Sequence, residues 1–116
     1  MTYRIAGFIL LPIVFAASAA AHHGWGSYDV SRKLTIEGPV RHLEWQNPHV
    51  HIQLAYENMT WQIVLAPVSR MQIRGLSSEL IKAGTDVAAE GYPSLRNQRE
   101  MRAERLRVGG KTYELR

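Results

Sequence analysis

The chain has 116 residues, with 14 basic against 10 acidic side chains, a formal charge of +4, five histidines and no cysteine. That length suits one domain with a single modest core, and the mild basic bias serves solubility and weak anion attraction without arguing for nucleic acid. Without cysteine there are no disulfides and no thiolate metal sites, so protein-derived metal ligands must be His, Asp, Glu, Met or an N-terminal amine.

Met1 to Arg4 is a short basic stretch, Ile5 to Ala16 an apolar run, and Ala16 to Ala21 a tract of small residues. This pattern predicts a secretory signal peptide over residues 1–21 and hence a periplasmic (or secreted) product. The apolar run is short for a membrane span, which needs about 20 residues, and Gly7 and Pro12 interrupt it. No cysteine follows to carry a lipid, so no stable membrane anchor is expected after cleavage. Losing Arg4 with the leader leaves a charge of +3 on about 95 residues. Cleavage after Ala21 makes His22 the N-terminus, whose amine and imidazole chelate one ion. Cleavage after Ala20 puts His23 third from the amine, a square of nitrogens suited to Cu(II) or Ni(II).

Residues 22–33 form an N-terminal arm, in which Trp25 and Tyr28 are expected to tuck against the domain that follows. Leu34 to Trp45 reads as a long strand bent near Gly38-Pro39, because the apolar parity of Leu34, Ile36 and Val40 shifts by one at Leu43 and Trp45. Asn47-Pro48 turns the chain. His49 to Ala55 is a second strand with Val50, Ile52 and Leu54 on one face and His49, His51 and Gln53 on the other. Tyr56-Glu57-Asn58 is a turn. Met59 to Leu65 is a third strand with Met59, Trp61, Ile63 and Leu65 inward.

Ala66 to Gly84 reads as helical, one segment ending at Gly75 and a second, Ser78 to Lys82, capped by Ser77. Val87 to Tyr92, Met101 to Val108 and Lys111 to Leu115 are further strands, the last two joined by Gly109-Gly110. The arginines from Arg96 to Arg107 read as a solvated face. Three strands, helix, then two or three strands is the order of an OB-fold. The predicted class is therefore mostly β: a small, closed OB-like barrel of five to six strands over residues 34–116, with one or two short helices between strands 3 and 4.

If the first two strands pair through Gln46-Asn47, then His42, Glu44, His49 and His51 share the outer face. Cross-strand neighbours there stand about 5 Å apart, and Zn or Cu needs nitrogens at about 2 Å, so side chains on adjacent strands are able to converge. Taken singly, each histidine is an ordinary polar residue of an outer strand face. Taken together with His22 and His23, all five histidines lie before residue 52. Catalysis is not expected, since no Gly-x-Ser-x-Gly, nucleophilic cysteine or phosphate loop is present.

The segments Ala21-His22-His23-Gly24, Glu37-Gly38, Glu44-Trp45-Gln46-Asn47-Pro48-His49, Lys82-Ala83-Gly84-Thr85-Asp86-Val87, Glu90-Gly91-Tyr92 and Arg102-Ala103-Glu104 resemble a family of small exported bacterial proteins of unknown function. The resemblance covers nearly the whole mature chain. It implies a periplasmic or secreted location and an OB-like barrel, and brings no established activity, ligand or site. In that family the positions of His22, His23 and His49 are typical, whereas that of His51 varies.

The sequence thus points to an exported, non-enzymatic metal-binding protein, a carrier or sensor for copper ahead of zinc. Its candidate ligands are His22, His23, His49, His51, His42 and Glu44. The alternative is a non-metal binding module that presents the Asn-Pro-His hairpin to an envelope protein or glycan.

Overall fold

The structure, a computed structural model, describes Thr2 and residues 24–116. The expected signal peptide, His22 and His23 lie outside the described residues. No helix of the described residues is long and apolar enough to cross a membrane.

The fold is mostly β, as the alternation of apolar residues predicts. Seven strands form one sheet: β1 (Leu34–Pro39), β2 (His42–Glu44), β3 (His51–Tyr56), β4 (Met59–Val64), β5 (Asp86–Pro93), β6 (Glu100–Val108) and β7 (Lys111–Glu114). One helix, α1 (Val68–Ile73), separates β4 from β5. The hydrogen-bonded order is β1-β5-β6-β4-β3-β2, with β7 added on β6. All pairs are antiparallel except β4 with β6, which run parallel over Gln62–Val64 and Glu100–Arg102.

Three expectations are corrected. The barrel of five to six strands is a seven-stranded sheet, and the sheet is not closed. Its two end strands, β1 and β2, do not pair with each other; they are successive pieces of the predicted long first strand. Val40 N–H donates to the Thr85 carbonyl, beside β5, while Arg41 N–H donates to the Gln53 carbonyl, in β3. Between those two residues the backbone passes from one end of the sheet to the other. Gly38, at φ +152°, and Pro39, which has no N–H to give, make the bend. The parity shift follows: Val40 is buried, and Leu43, three residues on, also packs on the core.

The second correction concerns Ser78 to Lys82, which forms turns rather than a helix; the Ser77 hydroxyl does accept the Leu80 N–H, at 3.2 Å. The third concerns Met59, expected inward, which stands exposed at the hairpin tip. Glu57 and Asn58 make that tight turn with φ of 50° and 61°, the left-handed pair a two-residue hairpin requires.

The core is one cluster. Its central row runs across the sheet through Ile52, Ile63 and Met101, which are register partners and fully buried. Each contributes about 1.5–3 kcal/mol through loss of apolar surface from water. Trp45 and Trp61 pack against this cluster, as their parity predicts.

Gly91 marks the tightest approach. It sits at the bulge between β5 and β6, where an added Cβ would stand 1.9 Å from the Arg102 carbonyl oxygen and 2.7 Å from the Ala103 Cα. Gly91→Ala is therefore expected to destabilise the fold by about 3 kcal/mol, read from urea unfolding. Gly26→Ala, where nothing lies within 4 Å, should change stability by less than about 0.5 kcal/mol. An unchanged midpoint for Gly91→Ala would contradict the close approach.

Candidate functional site

Side chains in a strand alternate between faces. With Ile52, Ile63 and Met101 inward, His51, Gln62, Val64, Glu100 and Arg102 must face the other side. The register aligns them in two rows. One runs through Glu44, His51, Val64 and Arg102; the other through His42, Gln53, Gln62 and Glu100.

A cleft of about 400 Å³ lies over these rows, lined by Tyr28, Pro48, His49, His51, Val64, Asn97, Glu100 and Arg102. Its walls come from four parts of the chain. Pro48 and His49 belong to the loop between β2 and β3, in which the Asn47-Pro48 peptide is cis. The Asn47 carboxamide oxygen accepts the Val68 N–H at 3.0 Å, tying that loop to the start of α1. Asn97 belongs to the β5–β6 loop. Tyr28 belongs to the arm. The strand faces supply the rest.

The arm is fastened to the β5–β6 loop. Tyr28 forms a β-bridge with Ser94, Asp29 N–H donates to the Pro93 carbonyl, and Leu95 N–H donates to the Ser27 carbonyl. The Tyr28 hydroxyl donates to Glu100 Oε2 at 3.2 Å, and Asn97 Nδ2 lies 3.5 Å from both Glu100 oxygens. Ahead of this, Trp25 has the Arg102 and Arg116 guanidinium groups over its ring at 4.3 and 4.7 Å, and Tyr92 meets its ring edge-on at 6.1 Å. These cation–π contacts seat the first described turn, Trp25–Ser27, beside the Arg102 wall of the cleft. Both Trp25 and Tyr28 tuck in as predicted.

The sequence candidates fall into two groups that meet at His51. His49 and His51 line the cleft and are half-buried. His42 and Glu44 are exposed on β2: His42 Nε2 lies 3.5 Å from Glu44 Oε1, and His51 Nδ1 lies 3.9 Å from Glu44 Oε2. The Gln62 amide nitrogen contacts His51 Nδ1 at 3.0 Å. Among the described residues no three His, Asp or Glu side chains converge as a metal cage.

Sequence reasoning missed Tyr28, Asn97, Glu100 and Arg102 as parts of one site. The parity of β6 carries a signal for Glu100 and Arg102, since Met101 and Ala103 are inward, but nothing local shows that β6 lies beside β4. Arg102 also corrects the picture of a solvated arginine face: it is 9 % exposed. Burial, with Arg70 and Arg116 nearby, pushes its guanidinium down from the ordinary range, partly offset by Tyr28.

A family model described as a family of unknown function, DUF6152, matches residues 11–103. No curated protein matches the chain.

Burial, then the Glu100 carboxylate beside it, pushes the Tyr28 phenol from 10.0 up to about 12, against a smaller opposing effect of Arg102. The neutral phenol is thus favoured by the fold. From about pH 10 upward an unfolded chain loses this proton while the folded one keeps it, so stability falls as pH rises towards 12. Ultraviolet difference titration should show one phenol titrating near 12, absent in Tyr28→Phe and moved downward in Glu100→Gln. A Tyr28 titration near 10 would show that the arm does not seat on Glu100.

Proposed function

The chain belongs to the DUF6152 family of unknown function, and within it we propose an exported protein that binds a transition metal, copper ahead of zinc, for carriage or sensing rather than turnover. The observation that carries this reading is that His49 and His51 line one cleft, while Trp25, two residues past His23, packs on Arg102 of the same cleft. The described residues supply two imidazoles there. His22 and His23 enter the chain immediately ahead of that anchored turn, and they complete a nitrogen-rich set of four. Such a set suits Cu(II) above calcium or magnesium.

Gln62 supports this role chemically. Its amide engages His51 Nδ1 at 3.0 Å, so Nε2 is the nitrogen left to a metal. A ligating imidazole holds a hydrogen on its other nitrogen for an acceptor nearby, and the Gln62 amide in its flipped orientation provides that acceptor. Glu44, 3.9 Å from the same nitrogen, is the carboxylate behind it, and His42 extends the set at its exposed end. Signal-peptide cleavage near Ala21 frees the amine that joins His22 or His23 in chelation.

A second reading is favoured by the position of the cleft. It lies on the β3–β4 face and between the β2–β3 and β5–β6 loops, where OB-like domains take oligosaccharides and other ligands. In that reading the hairpin meets a glycan or an envelope protein, and no metal is bound.

Isothermal titration of Cu(II) into processed, tag-free protein separates the two. Binding should be saturable and at least tenfold tighter than to the denatured chain. His49→Ala and His51→Ala should each weaken it about tenfold or more, and affinity should fall as pH is lowered, because protons compete with the metal for the ligand nitrogens. Binding no tighter than to the denatured chain removes the metal reading. Unchanged affinity in both variants confines the metal to the N-terminal amine and its histidines.

A further inference from the structure

The ion pairs of this molecule are unevenly distributed. On the outer faces of β1, β5, β6 and β7 three cations have carboxylate partners, while Lys111 of β7 lies over the Tyr113 ring instead. Lys33 and Arg105 meet Glu90, Arg105 also meets Glu114, and Arg107 meets Glu37. Around α1 the balance is different. Among the described residues neither Arg70 nor Arg74 meets an Asp or Glu side chain; Arg74 Nη2 donates to the Arg116 main-chain oxygen, at 3.3 Å. Arg116 has one distant carboxylate, Glu104 at 3.8 Å, which Lys33 and Arg105 already share. Arg102 adds a further positive charge behind them.

The helix presents these charges in a particular arrangement. Met71 faces the core and is fully buried. Arg70, Ile73 and Arg74, at spacings of three and four, stand together on its exposed side. Ile73 between them is 82 % exposed. Pro67, Ser69, Arg70, Ile73 and Arg74 line a hollow of about 390 Å³.

We propose that this face of α1 binds the phosphate of an anionic phospholipid headgroup, with Arg70 and Arg74 as the anion ligands and Ile73 entering the interface between them. Guanidinium groups match phosphate oxygens in geometry as well as charge. Two exposed guanidinium groups one helical turn apart, flanking an apolar side chain, give an anion two ligands on one face. Ile73 selects the lipid over a free phosphate. An apolar side chain held in water between two cations gains nothing from a soluble anion, but a bilayer surface takes it out of water while the headgroups meet the arginines. The proposal is independent of the metal reading, since it uses none of the histidines.

The test is co-sedimentation of the full chain with vesicles of phosphatidylcholine alone and of phosphatidylcholine with phosphatidylglycerol. The first vesicle reports whatever the apolar residues 5–16 contribute by themselves. Partitioning onto the anionic vesicles should be at least tenfold stronger and should weaken in high salt. R70E/R74E and the milder R70Q/R74Q, checked for an unchanged circular dichroism spectrum, should abolish that preference. I73S should lower partitioning several-fold while retaining it. Equal partitioning onto both vesicles, or a preference retained in R70E/R74E, overturns the proposal. So does calorimetric binding of inorganic phosphate that R70E/R74E removes while no vesicle preference exists, an outcome that assigns the site to a soluble anion.

Discussion

The period-two alternation of three neighbouring strands is the constraint on which the cleft depends. Ile52, Ile63 and Met101 are register partners and have no exposed surface. A slip of one residue in any of these strands would turn its whole apolar set into water. The same lock that buries these three side chains therefore sends His51, Gln62, Glu100 and Arg102 to the opposite face. The parallel pairing of β4 with β6, only three residues long, brings Glu100 and Arg102 onto the same face as His51, with β4 between them. Gly91 allows β5 to close on β6 at the Arg102 carbonyl, and so it positions the backbone of a cleft residue from the other side.

Upon that frame the N-terminal arm is a fitted part rather than a loose start. Its backbone bonds to the β5–β6 loop, Tyr28 reaches Glu100, and Trp25 carries two guanidinium groups over its ring. The arm forms one wall of the cleft. The proposed ligand set of His49 and His51 with His22 and His23 draws on this, since the chain ordering entropy is already met up to Trp25 by contacts unrelated to metal.

Much of this was legible in the residues. The alternation of Val50, Ile52 and Leu54 defined the strand after Asn47-Pro48, and the shift between Val40 and Leu43 located the bend of the first strand. Gly109-Gly110 and Glu57-Asn58 marked their hairpins. What escaped depends on contacts between distant segments. Asn47 looked like a turn residue, and its second task, accepting the Val68 N–H, depends on where α1 begins in space. Arg102 had the parity of a solvated residue, yet Trp25, 77 positions earlier, covers it. The closed barrel was inferred from element order. The order is right, but the bend at Gly38-Pro39 splits the first strand, and β7 pairs along β6 at Arg105–Val108, beyond the three residues that pair with β4. Ser77 promised a helix, but only a turn follows before Gly84.

The central claim is that the cleft histidines and those of the arm hold one metal ion. Diffraction from crystals of copper-loaded, processed protein, recorded at the copper absorption edge, tests it most directly. The account predicts one anomalous peak in the cleft, about 2 Å from an imidazole nitrogen of His49 and of at least one of His22 and His23. A cleft without such a peak, or a copper ion held only by residues remote from His49 and His51, would contradict it.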